Sequence, residues 1–300
     1  MFHVIFLVAL ALVWMIFAVV QDLRKREIAN WVNFSLIIFA IGFRFFYSLF
    51  NGVEDGTGFN FFYQGLIGLV IFFILGNLLY YCRMFAGGDA KLFFALGAIL
   101  PFSENFFVNL KVFVLFLILF LFSGAVYGLF VSGALILNHL KEFKKEFLKQ
   151  FKKNKNLFIL SIFLALFFVI LGFSDIFMVY FGILIFIIPY FYLSAKAIDE
   201  ICMIKKISPK NLTEGDWLYR DVRVGNRIIK KRWDGLTKEE IKLLRKALQK
   251  GNRPSVVGLK KENYVLVRQG IPFSPAFLIA FLVLIYFWFF RSGILSYFWN

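Results

Sequence analysis

The sequence predicts a polytopic all-α membrane protein with a small α+β insert on its cytoplasmic side, and three observations lead there. Apolar residues make up 61% of the 300, and mean hydropathy is +0.78, whereas a soluble domain of ordinary usage is about 45–50% apolar. Uncharged apolar runs of bilayer length recur along the chain. Lysine and arginine gather in alternate connecting segments, as expected where basic loops stay in the cytoplasm.

The apolar runs fall at 2–20, 31–50, 61–81, 84–102, 107–137, 157–173, 175–195 and 273–293, which suggests about eight spans. The first run is too long for a signal-peptide core and lacks a basic leader and an A-x-A site, so it is expected to be a retained span. The fifth is longer than a bilayer needs, so its ends should protrude or tilt. The sixth and seventh are joined by a tight turn around Gly172–Ser174.

Loop charge sets the expected orientation. Arg24, Lys25 and Arg26 follow the first run, Arg83 precedes the fourth, and Lys141, Lys144, Lys145, Lys149, Lys152, Lys153 and Lys155 follow the fifth. The opposite loops carry Glu54, Asp55 and Glu104 and no Lys or Arg. The basic side is therefore expected in the cytoplasm, with both termini outside. Arg44, Lys111 and Arg291 fall toward outer span ends, where snorkelling to the headgroups is the ordinary role.

Between residues 138 and 156, Leu140, Phe143, Phe147 and Phe151 recur at helical spacing with lysines between them. This segment is either a basic amphipathic helix on the inner leaflet or a plain extension of the fifth span. Residues 200–268 break the apolar pattern with 11 Lys and 7 Arg. Within them Thr237–Glu240 has the form of a capping box opening a helix to about Gln249, and Tyr264–Arg268 has the form of a short strand. The resulting organisation is a membrane core at 1–137, the basic segment at 138–156, two membrane helices at 157–199, a cytoplasmic insert at 200–270, and a last helix with its tail at 271–300.

Composition also excludes some functions. The net charge of +16 fits attraction to anionic membrane lipid better than nucleic-acid binding, given the spans. Cys82 and Cys202 are too few for a disulfide or zinc framework, and His3 and His139 are too few for a metal site, so no metal and no cofactor are expected. The 44 Phe accompany much Ile, Lys and Asn; this looks like codon bias, and no chemistry is drawn from it.

Ionisable groups at the edge of a span are where function is sought. Asp22 lies two residues past the last valine of the first run, and Asp89 lies near the start of the fourth, both at the cytoplasmic end. Singly, one is a charge flanking a span and the other a helix cap. Together, at one depth, they suit a shared site. Two close carboxylates cannot both ionise cheaply, so they hold one proton between them and can work as general acid and base on a hydrolytic water. Gly87 and Gly88, just before Asp89, are expected to allow close backbone approach or unusual dihedrals. Lys91 either snorkels or biases the pair, with snorkelling the better fit; Glu27 is either an auxiliary carboxylate or, more simply, a loop charge. Asp216, Asp221 and Asp234 are expected to be solvated.

At these residues the chain resembles the archaeal prepilin and preflagellin peptidases, polytopic aspartyl proteases of the type IV prepilin peptidase-like G-x-G-D group. In that family one aspartate follows the first span and precedes a basic stretch and an Ile-Pro-Asn-like element; here these are Asp22, Arg24-Lys25-Arg26 and Ile28-Ala29-Asn30. The G-x-G-D-x-K element reads Ala86-Gly87-Gly88-Asp89-Ala90-Lys91. Ala29 replaces the proline and Ala86 the first glycine, which bears on loop geometry more than on chemistry. The likeness is strongest over residues 1–105; Gly270-Ile271-Pro272-Phe273-Ser274-Pro275, before the last span, resembles the archaeal branch as well. It implies Asp22 and Asp89 as catalytic residues and signal-peptide processing of pilin-like or archaellin-like precursors at the cytoplasmic membrane. The paired C-x-x-C motifs of bacterial relatives are missing, so proteolysis alone is expected. The rivals are a presenilin-type intramembrane protease, which places its first aspartate beside tyrosine within a span, and a transporter or scaffold, which expects midplane acids and repeated halves.

Overall fold

A computed structural model of the chain describes residues 2–51, 58–173, 175–224, 227–232, 235–249, 255–256 and 264–290. Expectations resting on Glu54, Asp55, Ser174, Asp234 and Arg291 lie outside the described residues. Ten α-helices are described: α1 Phe2–Lys25, α2 Asn30–Asn51, α3 Asn60–Tyr81, α4 Gly87–Ile99, α5 Phe106–Asn138, α6 Leu140–Lys153, α7 Lys155–Leu171, α8 Ile176–Ile201, α9 Lys238–Gln249 and α10 Ser274–Phe290. The strands are β1 Ile204–Ile207, β2 Trp217–Leu218, β3 Val222–Val224, β4 Arg227–Ile229, β5 Ser255–Val256 and β6 Val265–Arg268.

The architecture is an all-α multi-pass membrane fold with a small strand-bearing region before the last helix. Among the described residues, α1, α2, α3, α5 and α8 are long and apolar enough to cross a bilayer, and α6 with α7 form a pair bent by 73° that makes at most a sixth span. This is fewer than the apolar runs suggested. The 13 residues of α4 reach only about 20 Å, short of a hydrocarbon core of about 30 Å. An apolar run can be buried inside a bundle as readily as in lipid, and α4 is: Ala90, Leu92, Phe93, Ala95, Leu96, Gly97, Ala98 and Ile99 are all buried.

The described residues fall into two compact units, one drawn from Met1–Leu129 and Pro272–Asn300, the other from Phe130–Ile271. In the first, α4 packs chiefly on α3 and α2. A β-carbon on Gly68 would strike the carbonyl oxygen of Gly97, and one on Gly97 would strike that of Gly68. Glycine at both positions therefore lets α3 and α4 touch backbone to backbone, the usual means of tight helix association in lipid. Phe72, Phe93, Phe120 and Phe277 fill the space beside this crossing; the Phe120 and Phe277 rings lie 4.3 Å apart.

Arg44 departs from expectation. It does not reach for headgroups but is wholly buried. Its Nε donates to Ala98 O at 2.9 Å, Nη1 to Phe61 O at 3.0 Å, and Nη2 to Ile99 O at 3.1 Å and to Pro101 O. The guanidinium also lies 4.2 Å from the centre of the Phe61 ring. The last carbonyls of a helix have no partner within it. Arg44 supplies that partner for α4, and Gly65 leaves room for its side chain. Lys111, by contrast, is exposed.

In the second unit, α7 packs along α8, and α6 is separated from α5 by a break at His139. The segment is thus its own helix and not a continuation of the fifth run. The polar insert holds two antiparallel three-stranded sheets, in the orders β1-β6-β2 and β4-β3-β5. The α9 capping box forms: Thr237 N donates to Glu240 Oε2 at 3.0 Å and Glu240 N donates to Thr237 Oγ1 at 3.4 Å. Asp216 and Asp221 are half-buried turn formers and not freely solvated, accepting from Thr213 N and Lys231 N. Arg268 on β6 pairs with Asp199 at 3.1 Å, tying the sheet to the end of α8.

Candidate functional site

The site is built where α1 ends and α4 begins. α1 remains helical beyond its apolar run, through Gln21 and Asp22 to Lys25, because Leu23, Arg24 and Lys25 favour helix and the basic pair complements the C-terminal end of the helix dipole. Asp22 is therefore a helical residue and not a loop residue, and it is 6% exposed. The chain leaves the helix at Arg26, which adopts φ 57° while its N–H bonds Asp22 O at 2.8 Å.

The link to α2 is short. Glu27 is exposed and Ile28 is buried. Ala29 N donates to Gln21 Oε1 at 3.0 Å. This bears on the replacement of proline at 29: proline has no N–H, whereas alanine has one, and Gln21 accepts it.

α3 ends in a second left-handed arginine, Arg83 at φ 62°, with Met84 N returning to Leu79 O. Ala86 then caps α4 in an extended conformation, φ −73° and ψ 160°, which alanine adopts as easily as glycine. Gly87 and Gly88 are the first helical residues, and neither has positive φ. The expectation of unusual dihedrals is thus corrected. Close approach is not forced either: an added β-carbon on Gly88 would stand 3.4 Å from N and Cβ of Ile28 and one on Gly87 3.9 Å from the Tyr80 ring, both ordinary van der Waals contacts.

Asp89 falls in the first turn of α4, is 9% exposed, and accepts a backbone hydrogen bond from Ala86. Its carboxylate and that of Asp22, 67 residues away in sequence (89 − 22), lie within electrostatic reach of one another. A helix N-terminus favours negative charge; a second buried carboxylate opposes it. The fold thus brings two buried acids within electrostatic reach of one another where α1 ends and α4 begins.

Lys91 has a partner outside the pair, and Glu27 is exposed. Lys91 Nζ donates to Asn30 Oδ1 at 2.6 Å, linking α4 to the start of α2. The snorkelling expectation did not include this partner. Sequence reasoning missed three further neighbours. Ser274 N, at the start of α10, donates to Asp22 Oδ2 at 3.1 Å. Tyr127 on α5 lies in electrostatic reach of Asp22 and Arg26. Gln21 holds the link. The Gly270–Pro275 patch hinted at Ser274, but nothing in the sequence said that its backbone would meet Asp22. Among the described residues, no group of three or more His, Cys, Asp or Glu stands close enough to hold a metal ion.

The class defined by this arrangement is a multi-pass membrane protein with two buried carboxylates gathered at one end of its helices. Residues 9–134 match the Type IV leader peptidase family. Preflagellin peptidases of Methanocaldococcus jannaschii and Methanococcus maripaludis are 30% and 32% identical over 89 and 87 residues, in each case 29% of this chain and 35% of the relative. The chain thus aligns with about a third of the length of these curated relatives, and over that stretch it is prepilin/preflagellin peptidase-like. No solved structure matches it.

Proposed function

We propose that the chain is a membrane aspartyl endopeptidase that removes the leader from preflagellin-like or pilin-like precursors at the cytoplasmic face of the membrane. The observation that carries this reading is the convergence of Asp22 and Asp89, buried and within electrostatic reach, from helices far apart in sequence. The names of the relatives supply the substrate class. One ionised carboxylate takes a proton from a water as that water attacks the scissile carbonyl. The protonated partner donates to the carbonyl oxygen; the proton taken from water then passes from the first carboxyl to the leaving nitrogen, and the partner recovers its own proton from the tetrahedral intermediate as the carbonyl reforms. The proton belongs to the pair, and neither aspartate is assigned a fixed role. Ser274 N–H holds one oxygen of Asp22, which leaves the other oxygen for water. Lys/Arg asymmetry supports the cytoplasmic placement.

The test is cleavage of a membrane-embedded precursor by the full chain in lipid. Asp22→Asn and Asp89→Asn each abolish turnover while the protein inserts and melts at or above the parent's temperature, and Glu27→Gln keeps most activity. Substantial turnover by either aspartate variant removes that residue from the mechanism. Cysteine labelling that places residues 141–155 outside overturns the cytoplasmic placement.

A further inference from the structure

We infer that the turn between α5 and α6 is a binding site for a single anionic phospholipid, with its phosphate at Lys141 and Lys144 and an acyl chain in the apolar groove beside them. The groove has a volume of about 390 Å³ and is lined by Ile136, Leu140, Lys141, Phe143, Lys144 and Phe147. Ile136 comes from the last turns of α5, and the others come from the first two turns of α6. Leu140, Phe143 and Phe147 recur at three- and four-residue steps, so they form one stripe along α6. The Phe143 and Phe147 rings lie 5.8 Å apart and make its floor. Lys141 and Lys144, three residues apart, rise on the rim of that stripe and are exposed.

Charge selects the occupant. Lys149 is already engaged, 3.0 Å from Glu146, whose carboxylate also accepts from Gln150. Lys141 and Lys144 form no ion pair among the described residues. Two free ammonium groups beside an apolar trough, at the end of a helix long enough to span a bilayer, match a molecule that carries an anion on a hydrocarbon chain. A soluble anion would use the lysines and ignore the trough; a neutral lipid would do the reverse. Lysines along one helix attract acidic lipid in general, but the groove makes a narrower claim, because it distinguishes Lys141 and Lys144 from Lys152 and Lys153 further along. The site depends on α5 as a membrane helix and not on the proteolytic reading, so lipid retention and cleavage are separate readouts.

The experiment is native mass spectrometry of the full chain in detergent, titrated with phosphatidylglycerol. One lipid should be retained. Lys141→Gln with Lys144→Gln should weaken that binding by about tenfold or more, the scale expected for two lysines near an anionic headgroup. Leu140→Trp, at an exposed position that tolerates the larger ring, should fill the groove and weaken it similarly. Lys152→Gln with Lys153→Gln should leave it unchanged. Phosphatidylcholine of the same acyl chains should bind at least about tenfold more weakly. The proposal is overturned if the two lysine pairs matter equally, since binding is then diffuse. It is also overturned if phosphatidylcholine binds as well, or if millimolar inorganic phosphate displaces the lipid, which would make the site one for free anions. Melting temperatures of the variants, read alongside, separate lost binding from lost fold, and Lys141→Gln alone serves if the double variant melts early.

Discussion

The two ends of α4 each meet an ionisable side chain, and they use it in opposite ways. At the C-terminal end the Arg44 guanidinium enters a fully buried space and meets four backbone carbonyls and the face of Phe61. The Ala98 and Ile99 carbonyls, at the end of α4, have no partner within their helix, so the charge serves the fold. At the other end Asp89 meets Asp22, a group of the same sign. Nothing in helix packing requires two acids there, and their repulsion costs stability. A buried charge whose hydrogen bonds go to backbone carbonyls marks structure; two acids held within reach of one another are what the proposed chemistry asks for.

The contrast is broken most sharply by substituting at both ends. Asp89→Asn should reduce cleavage to background and leave the melting temperature equal to or above the parent's, because it removes a repulsion. Arg44→Met should do the reverse in kind, destabilising the chain by about 1–3 kcal/mol for each buried carbonyl left without a donor, with activity falling only as the folded fraction falls. Arg44→Lys should recover part of the loss, since an ammonium cannot reach all of the carbonyls that a planar fork reaches. Chemical denaturation in detergent beside a cleavage assay separates the two. An Arg44→Met protein as stable as the parent would refute the clamp.

A smaller effect is expected along the body of α4. Gly97→Ala places a methyl against the Gly68 carbonyl and should cost about 1–3 kcal/mol, the range for overpacking a tight contact. Unchanged stability would mean that α3 and α4 separate more easily than this contact implies. The smallest effect tests the link after α1. Gln21→Leu should cost about 0.5–1.5 kcal/mol by removing the acceptor of the Ala29 N–H. In an Ala29→Pro background, which has no N–H there, the same change should cost much less. A double-mutant cycle reads the difference, and equal costs in both backgrounds would dissolve the pairing.

The parts of this molecule legible in the sequence are those set by near neighbours. Hydropathy over about twenty residues gave the membrane class, and Thr237 with Glu240 gave the start of α9, because a capping box closes within three residues. Asp22 and Asp89 could be singled out because two acids stand among the basic residues at the same ends of their spans. The run at 84–102 was legible as apolar but not as a short internal helix, since burial in protein and burial in lipid select the same side chains. Arg44 was misread for the same reason: an arginine near a span end looks alike whether it snorkels or turns inward.

By itself, the sequence determined that the chain enters a membrane, where its polar insert lies, and which two acids are out of place. Only the tertiary structure decided that those acids meet, that Ser274 holds one of them from 252 residues away, that Lys91 turns to Asn30, and that Arg44 closes the far end of α4. Those contacts depend on which helices cross and at what depth. That choice is made by glycine-to-glycine approach and aromatic packing between segments far apart in the chain, and no local window of residues records it.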